Sequence, residues 1–470
     1  MSAIAPWRLD ATALATEIRH GRLTARQALE SVLDRVDLIN PRVNALPLVL
    51  AAEARAAADA ADAAQRRGDS LGPLHGVPVS VKINIDQKDT PNDNGVVVFR
   101  DVIAAEDSPV VANLRRAGAI LFARSNSPAF ALRGHTDNDL HGTTHNPRDR
   151  ALVSGGSSGG AAVAVATGMG PMALGTDFGG SIRGPANVNG IVGLRPTPGR
   201  IPHMNPSAAV ARPLSNQLMS VPGPLTRSIR DARLGLAAMA ATDPRDYRHT
   251  ELPLHGLAPP RPIRVAIVPA PDGAAIAPEV AEAIRRAGHL LEQAGYAVEE
   301  AAPPSITDTA ELWYRIRTTE GWHLSRTGIM QHADADARRV LDLMMEYHPP
   351  LDLPGYLAAW VERDRMCDAW QRFFVARPLV VMPSTGGPPP GIGDDHRDLA
   401  TASHIRTTHR FQNVAPLLGI PALAMPMGSD GAWPTGVQIM AARYREDLIL
   451  DAAEVVEAAL GIPQPIDTNW

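Results

Sequence analysis

The sequence predicts an α/β fold, on three observations. Residues 74–123 read as strand, helix, strand, and the same order returns between 263 and 299. Short β-branched runs such as Leu379-Val380-Val381-Met382 have the character of buried strands. Alanine is abundant throughout, which favours helices around such strands.

The elements follow in order. Asp10 can cap a first helix with Leu14 and Ile18 inward and Gly21 at its end. Thr24 to Gln27 forms a capping box ahead of Leu29, Val32, Leu33, Val36 and Ile39, which keep helical spacing until Pro41. Residues 48–67 read as a third, alanine-rich helix closed by Gly68. The period then changes: 74–83 is a lead-in and strand carrying one lysine, Lys82, among valines. Ser108-Pro109 opens a short helix to Gly118, and 119–123 is the next strand. Residues 125–150 form a polar loop, 161–166 a helix, 172–174 a strand and 191–194 another short strand. Residues 196–222 are proline-rich without a clear period, 227–241 is a helix, and 242–262 reads as a surface linker. A second α/β unit begins near 263 with a strand, a helix over 278–294 and a strand at 297–299. Residues 307–376 are mainly helical, 421–425 and 437–440 look like a pair of strands, and 446–459 is the last helix.

With 470 residues, 45% of them hydrophobic and 20% charged, a large core is possible. The net charge of −5 and the absence of a dense basic patch speak against a nucleic-acid partner. Cys367 is the single cysteine, which rules out an internal disulfide and a multi-cysteine metal site. The longest uncharged run, 151–176, is broken by glycines and Pro171 and lacks the character of a membrane span. Residues 1–8 carry no basic start followed by an apolar run, so no signal peptide and a cytoplasmic location are expected.

Chemistry concentrates in Ser154-Gly155-Gly156-Ser157-Ser158-Gly159-Gly160 and in Gly175-Thr176-Asp177-Phe178-Gly179-Gly180-Ser181-Ile182-Arg183. A phosphate loop would need lysine where Ala161 stands. Gly155 to Gly159 formally matches a nucleophile elbow with Ser157 at its centre, but its lead-in, 146–153, is polar and proline-broken instead of an apolar strand. A third reading uses Lys82. Taken alone it could be an outward-facing lysine on an alternating strand; if buried, desolvation would favour the neutral amine, a competent base for a serine hydroxyl.

The third reading becomes specific through a resemblance. Gly72-Pro73-Leu74-His75-Gly76-Val77-Pro78 leading to Lys82, the two glycine–serine stretches, Gly190-Ile191-Val192-Gly193-Leu194-Arg195-Pro196-Thr197, Gly419-Ile420-Pro421-Ala422-Leu423 and Gly436-Val437-Gln438 stand in the order found in the amidase signature family, and the match runs over nearly the whole chain. The resemblance implies a single large domain with a mixed, mostly parallel twisted sheet of about ten strands covered by helices on both faces. Within it, 1–70 is expected to be a helical region, 71–240 the catalytic core and 263–470 a second α/β part completing the sheet and pocket. It also implies an amidohydrolase with a Ser–cis-Ser–Lys triad: Ser181 as nucleophile, Ser157 after a cis Gly156–Ser157 bond as bridge, Lys82 as base, and N–H groups of Phe178, Gly179, Gly180 and Ser181 as oxyanion hole. Ser158, Asp177 and Arg183 are read as structural. No cofactor and no metal ion are expected, the partner is a small-molecule amide, and the chain is expected as a monomer or homodimer without a membrane.

The sequence departs from the family pattern at Ile83, where an aspartate is usual, at Asn189, usually cysteine, and at His141, commonly phenylalanine. Met204, Val210, Leu214 and Met219 suggest an apolar entrance faced by Trp313, Tyr314 and Trp322, which favours apolar or aryl amides, with ester and carbamate (urethane) hydrolysis as side activities. The alternatives are small polar or anionic amides and ureas of the malonamide, biuret or allophanate type, gripped by Arg133, Arg183, Arg200, Arg315 or Arg317, and a transamidation or scaffold subunit. The loop 87–98 does not look like that of the ammonia-supplying subunit, and no triad residue is lost.

Overall fold

The computed structural model describes residues 4–428, 433–468 and 470, so residues 1–3 of the N-terminal stretch read above lie outside it. Eleven strands form one sheet: β1 Leu48–Val49, β2 Pro78–Lys82, β3 Ile120–Ser125, β4 Met172–Asp177, β5 Val192–Arg195, β6 Val221–Thr226, β7 Arg264–Ile267, β8 Ala297–Glu300, β9 Leu379–Pro383, β10 Ala422–Gly428 and β11 Thr435–Ala441. Their order is β1-β3-β2-β4-β6-β5-β10-β11-β9-β7-β8, so strands of both halves of the chain share one sheet. The sheet is mixed as expected but not mostly parallel. Parallel pairing is confined to β2 with β3 and β4, and to β7 with β8 and β9. The other pairs, through β4, β6, β5, β10, β11 and β9 and at the β1 edge, are antiparallel. Parallel neighbours need a covering crossover. The helices Pro109–Arg116 and Pro278–Gln293 supply one between β2 and β3 and between β7 and β8.

Two further expectations are corrected. The third helix begins at Ala51, because Leu48 and Val49 pair with Arg124 and Ala123 at the sheet edge. The proline-rich segment hides β6, which lies in the middle of the sheet between β4 and β5. Pro222 and Pro224 are two residues apart, so both missing N–H groups fall on the same edge of the strand. The other edge keeps the unbroken N–H row of Val221, Gly223 and Leu225.

Alternation along the strands divides the core. Val79, Val81, Met172, Leu174, Leu423, Val437 and Val381 enter one large cluster on one face. The opposite face carries separate clusters, one under the helix Ala25–Val43 with Ile120 and Phe122, one under Gly159–Ala166, and one under Ile306–Glu320 with Val380 and Met382. The predicted caps are in place: Asp10 accepts from the Ala13 N–H at 2.9 Å, and Thr24 and Gln27 form the reciprocal box. No helix among the described residues is long and apolar enough to cross a membrane.

Arg200, weighed above as an anion grip, is instead a strut. It is buried, donates to Glu446 Oε2 at 3.1 Å and to the carbonyls of Leu252 and Pro253, and so ties the 242–262 segment to the last helix, Glu446–Leu460. Glu446 Oε1 accepts the Thr197 N–H at 2.8 Å. Replacing Arg200 by leucine leaves that carboxylate buried and unpaired, which costs about 3–5 kcal/mol. The expected outcome is a lowered Tm for Arg200→Leu, measured by thermal unfolding, with Arg200→Lys intermediate; an unshifted Tm would contradict the strut.

Candidate active site

The register of β2 and β4 builds the site. Val81 lies opposite Leu174 in a parallel pair, so both strands end side by side and their exit loops meet. Val79 and Val81 face the large core, which sends Ser80 and Lys82 to the other side. Lys82, the last residue of β2, is fully buried. Its Nζ donates to Ser157 Oγ at 2.6 Å and to Thr176 Oγ1 at 3.0 Å. Burial pushes this amine down from 10.5 to about 7, against the opposing field of Asp177. Ile83, at the position of the usual aspartate, is itself buried, so no carboxylate adjoins the amine in sequence.

The loop that carries Ser157 is held at close quarters. The Gly156–Ser157 peptide is cis. A Cβ on Gly156 would stand 2.4 Å from the Arg133 carbonyl oxygen, which is why only glycine fits. Asn189 donates to the Ser154 and Pro185 carbonyls, both at 2.8 Å, so the departure from cysteine adds an amide tie to this loop. Ser158 N–H donates to the Ser181 carbonyl at 3.2 Å, and its hydroxyl to the Thr176 carbonyl at 3.3 Å, joining the two glycine–serine loops.

Asp177 organises the second loop. Its carboxylate accepts from Gly180 N–H at 3.0 Å, Ile182 N–H at 3.2 Å, two Arg183 nitrogens and Arg195. Burial alone would raise this carboxyl, but Arg183 and Arg195 hold it far below the usual range. The Trp313 indole N–H donates to the Phe178 carbonyl and Asn413 to the Gly179 carbonyl, each at 3.2 Å. These bonds fix two peptide planes and therefore the directions of the Gly179 and Gly180 N–H groups. Gly180, at φ +113°, has its N–H engaged by Asp177. The N–H groups of Phe178, Gly179 and Ser181 have no partner among the described residues.

Ser181 lines two cavities. One, of about 250 Å³, is walled by Phe178, Trp313, Tyr314, Leu343, Met344 and Tyr347. The other, of about 640 Å³, is lined by Ser157, Thr176, Asn84, Asn205, His203 and Glu320 among others. No hydrogen bond joins the Ser157 and Ser181 side chains in this structure, although both face the second cavity.

The remaining predicted residues divide. Trp313 and Tyr314 line the first cavity, whereas Trp322 is exposed and stacks under Arg326. Val210 reaches the second cavity, Leu214 is exposed, and Met219 is buried in the core instead of lining an entrance. Arg133 is tied to Asp395 and Asp336, Arg183 to Asp177, and Arg315 is exposed. Arg317 lines both cavities, lies over the Trp313 ring, and donates to the Met344 sulfur at 3.1 Å. His141 pairs with Asp93 away from both cavities. Sequence reasoning missed Thr176 as the second partner of Lys82 and Arg195 on Asp177, although both lie inside quoted motifs. It also missed the wall formed by Met344, Ile405, Arg406 and His409, whose segments carry no motif.

The Amidase family profile matches residues 27–450. An indoleacetamide hydrolase of Bradyrhizobium diazoefficiens is 42% identical over 460 residues, covering 97% of this chain and 87% of the relative. An acylamidase of Rhodococcus erythropolis is 31% identical, covering 96% of this chain and 95% of the relative. A solved structure of a 6-aminohexanoate cyclic dimer hydrolase in complex with substrate superposes with a TM-score of 0.84 at 26% identity, covering 99% of each chain. The buried lysine, the cis peptide beside it and the paired glycine–serine loops thus stand on a shared fold, and the chain belongs to the amidase signature family of amidohydrolases.

Proposed function

We propose that the chain hydrolyses amides of aryl-substituted acetic acids by a Ser181–Ser157–Lys82 relay. The observation that carries the proposal is the fully buried Lys82, bonded to Ser157 beside a Ser181 that opens onto an aromatic cavity. In the neutral form Lys82 takes the proton of Ser157, Ser157 takes that of Ser181, and Ser181 Oγ attacks the amide carbonyl carbon. The oxyanion is held by the N–H groups of Phe178, Gly179 and Ser181; one such donor is worth about 3 kcal/mol of barrier. Ser157 then gives a proton to the leaving nitrogen, relayed from the Lys82 ammonium. Water enters by the reverse relay, adds to the acyl carbon, and releases the acid and Ser181.

The lining supports the acyl assignment. Ser157, the proton donor to the leaving group in this scheme, lines the larger cavity and not the aromatic one. The amine therefore departs on the polar side and the acyl group sits among Phe178, Trp313, Tyr314 and Tyr347. Indole-3-acetamide is the first substrate to try, given the hydrolase of that name among the relatives. The acyl-enzyme route applies equally to aryl esters and carbamates, which are proposed as side activities. Arg317 favours a second reading, because a guanidinium without a carboxylate partner among the described residues, at the junction of the cavities, suits a small anionic amide. A screen of indole-3-acetamide, phenylacetamide, malonamate and biuret separates the two: a kcat/KM higher for the anionic or urea-type compounds would reverse the assignment.

Two outcomes test the relay. Ser181→Ala is expected to lower kcat on an aryl amide by about 10⁴-fold or more and to abolish fluorophosphonate labelling; labelling retained at Ser157 would return the nucleophile to the first loop. The base must be neutral, so kcat/KM is expected to rise with pH through a limb near 7, the value to which burial lowers Lys82. The residual activity of Lys82→Ala is expected to lack that limb; its persistence would assign it to another group.

A further inference from the structure

The aromatic cavity contains a polar group, His409, whose chemistry the relay does not use. The helix Leu399–His409 presents Ala402, Ile405, Arg406 and His409 to the cavity, at the spacing of a single helix face. One turn beyond His409 come Gln412 and Asn413. Asn413 holds the Gly179 carbonyl, and Gln412 Oε1 is the atom that a Cβ on Gly180 would strike. His409 therefore stands about 6–8 Å along the axis of the 3-10 turn Arg410–Asn413 from residues that touch the oxyanion loop. That places it at the depth of an aromatic acyl group, away from the reacting carbonyl.

The His409 ring has a defined tautomer. Its Nδ1 lies 2.9 Å from the Ile405 carbonyl, one turn back, and a carbonyl can only accept, so Nδ1 carries the hydrogen. Burial lowers this imidazole below its usual range, against the Ile405 bond, which keeps the ring neutral. Nε2 is then a lone-pair acceptor. Two other acceptors of the cavity are already engaged. Asp395 is taken by Arg133, and His348 Nε2 faces Arg406 and Glu311. Asn413 Oδ1 and both His135 ring nitrogens are buried in its wall. His409 is half-buried and lines the cavity.

We infer that His409 is a specificity-determining residue whose Nε2 accepts a hydrogen bond from an N–H on the aromatic ring of the acyl group. Arylacetamides bearing a ring N–H are thereby preferred over N-alkylated or carbocyclic analogues of the same shape. The inference rests on the reading that the aromatic cavity receives the acyl part. An acceptor covered by the bound ligand and left without its donor is what makes such a site reject the analogue that lacks it.

The test compares kcat/KM of the full chain on indole-3-acetamide, 1-methylindole-3-acetamide and 1-naphthaleneacetamide. The wild type is expected to prefer the N–H substrate by about tenfold or more. In His409→Leu that preference is expected to collapse toward one, through loss on the N–H substrate, and His409→Gln, which keeps an acceptor, retains part of it. Fluorophosphonate labelling of Ser181 reports whether each variant is folded, and the wild-type comparison needs no variant. Hydrolysis of all three amides without preference for the N–H, or a preference that survives His409→Leu, overturns the inference and leaves the proposed arylacetamide activity standing. Failure to cleave any of the three overturns both.

Discussion

Everything at this site depends on a buried amine with no carboxylate of its own. A lysine at the end of a buried strand would normally recruit an acid and keep its charge. Here the adjoining position is Ile83, and Asp177, the carboxylate whose field acts on the amine, is already committed to Arg183 and Arg195. Desolvation then prevails, and the neutral amine becomes accessible near neutrality. The departure from aspartate to Ile83 acts in the same direction.

That arrangement needs material from both halves of the sequence. The Asp177 loop hangs from β4, but Arg183 also donates to Gln438 on β11 and to the Gln412 carbonyl. Trp313 and Asn413 fix the carbonyls of the same loop. The continuous sheet is what brings these groups within hydrogen-bond range of β2 and β4. The glycines are its counterpart on the near side. Gly156 lets the Arg133 carbonyl close on the loop, and Gly180 lets Gln412 do the same, so two loops without regular structure are held as firmly as strands.

Much of the site was legible in sequence because its geometry is local. Lys82 shares a strand with Val79 and Val81, and Ser157 and Ser181 sit in glycine-dense runs that nothing but close backbone approach explains. What was not legible depends on tertiary partners. Pro222 and Pro224 read as a break in β structure, yet a strand tolerates prolines that share an edge, and only the neighbours decide which edge matters. Met219 and Val210 come from one proline-rich segment and have the same apolar character, but one is sealed beneath the Ile306–Glu320 helix and the other is exposed. Trp322 lies in the π-helical turn Gly321–Ser325 that follows that helix, a change of period no hydrophobic pattern records.

The division between legible and hidden residues follows the division of labour in the molecule. The groups proposed to move protons lie within three turns or strand ends of one another, on a scaffold whose motifs leave little freedom. The walls of the aromatic cavity come from Ile306–Glu320, Ala335–Tyr347 and Leu399–His409, helices that need only an apolar face toward the sheet and an adequate fit to each other. Trp313 apart, which holds the Phe178 carbonyl, such helices can exchange cavity residues without disturbing Lys82, because no hydrogen bond of the buried amine reaches them. Substrate choice is thereby separated from bond cleavage. On the proposed reading, a single imidazole such as His409 or a guanidinium such as Arg317 on those helices directs the same chemistry to one class of amide or another.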